Sequence, residues 1–149
     1  MNIIKFYKTN DSYGEFSNFS PYGLVLDDVF WPTVEHYFQA SKFEDEYLKL
    51  QIRELVSPME VAKIGRNRKN KLRSDWEEIK DNIMRLAVFN KFAQNSNLRD
   101  LLLSTGDAYL IEHTSNDYYW ADGGDGSGKN MLGVILMETR EKIRNGKFA

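Results

Sequence analysis

The chain has 149 residues, 42% hydrophobic and 13% aromatic, which suits one domain with a buried core and is too aromatic for a disordered segment. A formal net charge of −2 provides no bulk attraction to nucleic acid. The absence of cysteine excludes disulfides, thiolate zinc sites and a thiol nucleophile, and His36 and His113, the two histidines, are too few for a multi-histidine metal centre.

Residues 1–7 lack the long apolar core of a signal peptide, and no apolar run approaches the ~20 residues that span a bilayer. The expectation is a soluble, cytoplasmic protein. Residues 3–7 are apolar and β-branched enough for an opening strand, and 10–14 read as a turn. Phe16-Ser17-Asn18-Phe19-Ser20-Pro21 is an aromatic loop with polar side chains between the rings. Residues 23–26 and 29–31 fit a hairpin turned by Asp27-Asp28. Pro32 stands where a helix can begin, with 33–43 as its body. A second helix is expected over 47–55. Ser57-Pro58-Met59-Glu60 starts a third, which should stop at Gly65. Ser74-Asp75-Trp76-Glu77 reads as a capping box for a long helix, followed by Ile79, Ile83, Leu86, Val88, Phe89 and Phe92 at roughly helical spacing. A short helix over 98–104, a strand over 109–112 and a last helix over 131–145, stopped by Gly146, complete the chain. The expected fold is α+β: a helix-rich single domain, residues 1–149, with a small, mainly antiparallel sheet at the N-terminus joined by one later strand.

Three stretches carry chemistry. In the helix at 33–43, each residue turns about 100°, so Glu35, Gln39 and Lys42 share one narrow stripe. Apolar residues occupy most of the remaining circumference. A charged stripe on a largely buried helix is costly unless it is paired or lines a cavity. Glu35 is therefore a candidate acid, base or cation stabiliser, and Lys42 its partner, an anion ligand or an amine nucleophile. His36 falls off the stripe and reads as structural. Between Gly65 and Arg73 lie five cations, Arg66, Arg68, Lys69, Lys71 and Arg73. They form either a solvated patch at a helix end or a phosphate clamp from Arg66 or Arg68. Trp76 by itself reads as core.

The third stretch is Tyr118-Tyr119-Trp120-Ala121-Asp122-Gly123-Gly124-Asp125-Gly126-Ser127-Gly128-Lys129-Asn130. Stacking surfaces, carboxylates and a bendable backbone meet here, the mixture of a nucleotide or small-molecule site. It is no phosphate-binding P-loop: Asn130 replaces the closing Ser or Thr, and Asp125 would place negative charge in the cradle. It is no calcium loop either, for want of alternating carboxylates and a closing Glu. Asn130 is placed to cap the following helix, whose exposed amides could face an anion.

These residues resemble a known family. Phe16-Ser17-Asn18-Phe19, the run from Trp31 to Phe43, Gly65-Arg66, Trp76, Glu112-His113-Thr114, Tyr119-Trp120-Ala121-Asp122-Gly123 and Gly128-Lys129-Asn130-Met131-Leu132-Gly133 resemble, in order, the NADAR family of YbiA-like N-glycosidases. The resemblance implies hydrolysis of an N-glycosidic bond to ribose. The substrates it implies are phosphorylated ribosylamino-pyrimidine intermediates of riboflavin biosynthesis, cleaved to ribose 5-phosphate. Other members remove ADP-ribose from guanine in nucleic acid. The resemblance maps functional positions onto Glu35, Trp76, Trp120 and Asp122, with Lys42 as a further match. Asp122 or Glu35 would activate water and steady the oxocarbenium-like charge while the other orients the sugar or assists the leaving group. Trp76 and Trp120 would sandwich the base, and Lys42 could instead attack C1′ to form an imine. The substrate-binding set is Asn18, Phe19, Gln39, Arg66, Arg68, Gly123 and Asn130. No metal or cofactor and no membrane are expected; nucleic acid enters only as an ADP-ribosylated substrate. A non-catalytic ADP-ribose reader is the alternative outside the enzymes. The whole reading expects the early helix and the late aromatic loop to serve one ribose-sized hollow.

Overall fold

A computed structural model describes residues 2–146. They divide into two compact units: Pro21–Lys91, and the residues up to Ser20 together with those from Phe92 onward. The chain passes from one to the other inside its longest helix.

In the Pro21–Lys91 unit, β2 (Leu24–Leu26) and β3 (Val29–Trp31) form an antiparallel hairpin pairing Leu24 with Trp31. Asp27 and Asp28 make its turn at φ 53° and 63°, a left-handed conformation that short polar side chains tolerate. Helix α1 (Val34–Ala40) starts one residue later than the sequence suggests. Thr33 is its cap, its Oγ1 accepting from His36 N, so Pro32 stands outside. The helix also ends early. Ser41 Oγ donates to Tyr37 O, and the amides of Lys42 and Phe43 turn back to Gln39 O and Ala40 O, three residues behind. Lys42 therefore follows α1 in a tighter turn, outside its regular helical spacing. Helix α2 (Glu46–Glu54) is capped by Asp45, and α3 (Pro58–Arg66) by Ser57 with Pro58 at its first position. α3 does not stop at Gly65. That glycine sits inside its last turn because a Cβ there would lie 1.9 Å from Gln39 Oε1. Helix α1 packs on both α2 and α3. Helix α4 (Trp76–Gln94) begins after Asp75, whose carbonyl accepts from Ile79 N. The capping box expected from Ser74 does not form: Asp75's carboxylate holds Arg73 Nε at 2.6 Å instead, and Glu77 pairs with Lys80 at 2.8 Å. His36 is fully buried, with Nδ1 bonded to Thr33 Oγ1 and Nε2 to Leu55 O, both at 2.8 Å, which makes it the structural residue expected.

In the other unit, β1 (Ile3–Phe6) pairs with β4 (Tyr109–Glu112) as expected of the late strand, but in parallel. The small sheet is thus two separate two-stranded pairs, one parallel and one antiparallel. A 3₁₀ turn at Gly14–Phe16 drives Phe16 between Phe6 and Phe92, with ring centroids 5.7 and 5.8 Å away. Helices α5 (Ser96–Ser104) and α6 (Met131–Arg144) pack together, and α6 covers β4. The resulting core of Leu98, Leu102, Leu110, Leu132, Ile135 and Leu136 is sealed from water. Arg140 is buried with it, its Nη1 donating to Thr105 Oγ1 and Ala108 O at 2.9 Å each. Among the described residues no helix is long and apolar enough to cross a membrane.

Candidate active site

The residues singled out by sequence fall into two clusters, one per unit. In the first, α1 presents Glu35 and Gln39 one turn apart, 6% and 5% exposed. Gln39 Nε2 donates to Glu35 Oε2 at 2.9 Å, which fixes the carboxylate's orientation. Gln39 Oε1 lies against Gly65 and accepts no hydrogen bond from any described residue. Lys42 follows at the irregular end of α1, only 8% exposed. Its Nζ donates to Gly65 O at 3.4 Å and lies 5.7 Å from the centre of the Phe38 ring. Burial depresses the Lys42 ammonium from its ordinary 10.5 to about 8. Glu35 pulls against that fall, whereas the charges of Arg68 and Arg66 add to it. The two arginines themselves are exposed. The basic segment is tied back to α1 where Arg73 N donates to Lys42 O at 2.8 Å.

Trp76 is 4% exposed and packs edge-on against Phe38, centroids 5.1 Å apart. That geometry matches the core reading of this residue. Phe38 and Trp76 thus form an apolar pair beside the Lys42 ammonium, a poorly hydrated setting in which charge interactions gain strength.

The second cluster is the loop 117–130. Asp117 Oδ1 accepts from both Tyr119 N and Trp120 N at 2.8 Å, turning the chain so that the two rings meet edge to face at 4.9 Å. Trp120 is half-buried, and Lys129 Nζ lies 5.3 Å from the Tyr119 ring. Gly123, Gly124 and Gly126 have φ of 74°, 84° and 87°, which only glycine adopts without strain. Gly123 is packed beneath Tyr118, where a Cβ would come within 2.5 Å of the ring, so its Cα face is closed.

Asp122 is buried at the centre of this loop. Its Oδ1 accepts from Gly124 N at 2.8 Å and Thr114 N at 3.2 Å, and its Oδ2 meets His113 Nδ1 at 2.7 Å. Burial pushes the carboxyl up, but the hydrogen bonds from His113, Gly124 and Thr114 outweigh it and hold Asp122 below the ordinary carboxylate value. Asp122 is thus an ionised anchor with both oxygens engaged.

Two sequence expectations are corrected here. Asn130 does not cap α6 with its side chain. Its Oδ1 accepts from Glu112 N and its Nδ2 donates to Leu110 O, stitching the loop to β4. Nor are the first amides of α6 left for an anion as expected. The N–H groups of Asn130, Met131 and Leu132 donate to the carbonyls of Ala121, Tyr119 and Trp120, each at 3.0 Å. Asn18 and Phe19 are half-buried, with Phe19 N held by Ser17 Oγ at 3.1 Å. The residue that pattern reading passed over is His113. Its sequence signals are its place in the Glu112-His113-Thr114 motif and its position just past β4, nine residues before the acid it binds.

A model of the NADAR domain matches residues 5–144 and so takes in both clusters. This chain belongs to the NADAR family. The N-glycosidase YbiA of Shigella boydii is 54% identical over 141 residues, covering 95% of this chain and 88% of that protein. A riboflavin biosynthesis protein of Vibrio vulnificus is 39% identical over 141 residues, which make up 38% of its length. The NMR structure of the Escherichia coli protein YbiA matches with a TM-score of 0.91 at 52% identity, over 98% of this chain and 87% of that one. The NADAR fold is therefore the helix-rich α+β arrangement expected.

Proposed function

We propose that this NADAR protein is a hydrolase of N-glycosyl bonds that cleaves the C1′–N bond of phosphorylated ribosylamino-pyrimidine intermediates of riboflavin biosynthesis in the cytoplasm, releasing ribose 5-phosphate. Its relatives support the bond type and the metabolic context by their names, N-glycosidase and riboflavin biosynthesis protein. The observation that carries the chemistry is the buried trio Glu35, Gln39 and Lys42 against Phe38 and Trp76. Breaking C1′–N with water places an oxygen on C1′, returns the bonding pair to the base nitrogen and puts positive charge on the ribose in between. A carboxylate held rigidly in a poorly hydrated wall stabilises that charge more than one in water does. Glu35 fills that role, with Gln39 holding its orientation. Arg66 and Arg68 supply positive charge for the 5′-phosphate. Trp120 offers a ring to the departing base, and Trp76 supports Phe38 behind Lys42. Asp122 serves the same reaction from the loop 117–130.

Lys42 has a second possible part. An amine titrating at about 8 is sufficiently deprotonated near neutrality to attack C1′ and form an imine with the opened sugar. Borohydride trapping during turnover distinguishes the two routes: a Lys42 adduct supports the imine, and its absence assigns Lys42 to charge alone.

The test offers purified protein a ribosylamino-pyrimidine 5′-phosphate and, separately, an oligonucleotide carrying ADP-ribosylated guanine. Ribose 5-phosphate release that Glu35→Gln abolishes is the expected result. Release of ADP-ribose alone replaces the metabolic substrate with the nucleic-acid one, and tight ADP-ribose binding without turnover makes the protein a reader.

A further inference from the structure

We infer that His113 is the proton-transfer residue of this site, and that Asp122 acts through it rather than on water directly. The inference rests on the N-glycosidase reading above and deepens it. Both oxygens of Asp122 are engaged: one takes two backbone amides, the other takes His113 Nδ1 at 2.7 Å. A carboxylate so committed has little capacity left to remove a proton from water. It does settle the imidazole, because an ionised acid beside Nδ1 draws the ring proton there and leaves the lone pair on Nε2. The His113 side chain is 43% exposed whereas that of Asp122 is 7% exposed, so the pair runs from a buried anion to an open ring. The same division of labour orients the general base of acyl-transfer triads. The glycine loop builds the arrangement: Gly124 N, at φ 84°, and Thr114 N fix the carboxylate from two sides.

The step balances without any further reagent. Nε2 takes a proton from water as the water oxygen bonds to C1′. The C1′–N pair departs with the base, and the imidazolium then returns the proton to that nitrogen. The ring ends in its starting state.

The molecule contains an internal control. His36, the other histidine, is fully buried and bonded at both nitrogens, so a histidine-directed acylating reagent reports on His113. Diethylpyrocarbonate should inactivate the wild-type enzyme in step with the appearance of one carbethoxyhistidine, and hydroxylamine should restore it. His113→Asn keeps an N–H near the Nδ1 position for Asp122 but has no Nε2. Its thermal midpoint and KM should stay near wild type while kcat falls about a hundred- to ten-thousand-fold, the usual contribution of a positioned proton-transfer group. Added imidazole should recover turnover in His113→Ala. Wild-type kcat in His113→Asn, or full activity with His113 acylated, overturns the inference while leaving the N-glycosidase reading standing. Wild-type protein that turns over no N-ribosyl substrate overturns both.

Discussion

Replacing Glu35 by Gln should push the Lys42 amine further toward its neutral form. In the native protein burial takes Lys42 from 10.5 to about 8, and the Glu35 carboxylate opposes that fall. At pH 7.5 a group titrating at about 8 is roughly one quarter free amine, whereas an exposed lysine near 10.4 is roughly one part in a thousand. Folding thus multiplies the nucleophilic form by about two hundred. Removing the opposing carboxylate costs the ammonium roughly one unit, since one unit is about 1.4 kcal/mol and a carboxylate near a partly buried ammonium supplies energy of that order. The free amine at pH 7.5 then rises to about three quarters. The assay is a pH titration of Lys42 in isotope-labelled protein, followed through its Cε and Nζ resonances. A wild-type Lys42 that titrates with the exposed lysines, or one that moves upward in Glu35→Gln, refutes the reasoning. The same shift has a stability consequence. Between pH about 8 and 10.5 the unfolded chain holds a proton on Lys42 that the native protein has released, so stability gains with rising pH across that window. Urea titrations of Lys42→Met should lack that gain.

Three further outcomes follow from the geometry. Gly65→Ala places a Cβ 1.9 Å from Gln39 Oε1. The flexible amide must swing off Glu35, so urea denaturation should show a loss of about 1–3 kcal/mol and steady-state assays a much larger loss of kcat. Asp122→Asn removes the charge that accepts from His113, Thr114 and Gly124, costing about 1–3 kcal/mol at neutral pH. Because the native carboxyl titrates below its unfolded value, its contribution is present above that value and disappears as pH falls through the native one. Acid unfolding of the variant should therefore be shallower, which circular dichroism against pH measures. Arg140→Leu withdraws the donor to Thr105 Oγ1 and Ala108 O, and calorimetry should show a drop of several degrees in thermal midpoint without a change in KM.

The clearest gap between pattern and structure lies at Lys42. Helical spacing puts it in line with Glu35 and Gln39, but α1 ends at Ala40, and tighter turns carry the amides of Lys42 and Phe43 back three residues to Gln39 O and Ala40 O. Asn130 shows the same gap in another form. A polar residue before an apolar run reads as a cap, but Glu112 N and Leu110 O lie within reach and take the side chain instead. His113 stands in the Glu112-His113-Thr114 motif, but its bond to Asp122 is not written there, because the partner lies nine residues on and is returned by the intervening loop.

Sequence alone determined the family, the residue types available for chemistry, most helix starts and the Asp27-Asp28 turn. Each of these is written in a few adjacent residues, through dihedral preference, capping chemistry and apolar spacing. Tertiary structure decided which carboxylate stays committed to backbone amides, which lysine is pushed down to about 8 and which histidine is buried while the other stays open. Those properties arise from burial and from partners many residues away along the chain, and they come into being only when the fold removes water and brings the partners together.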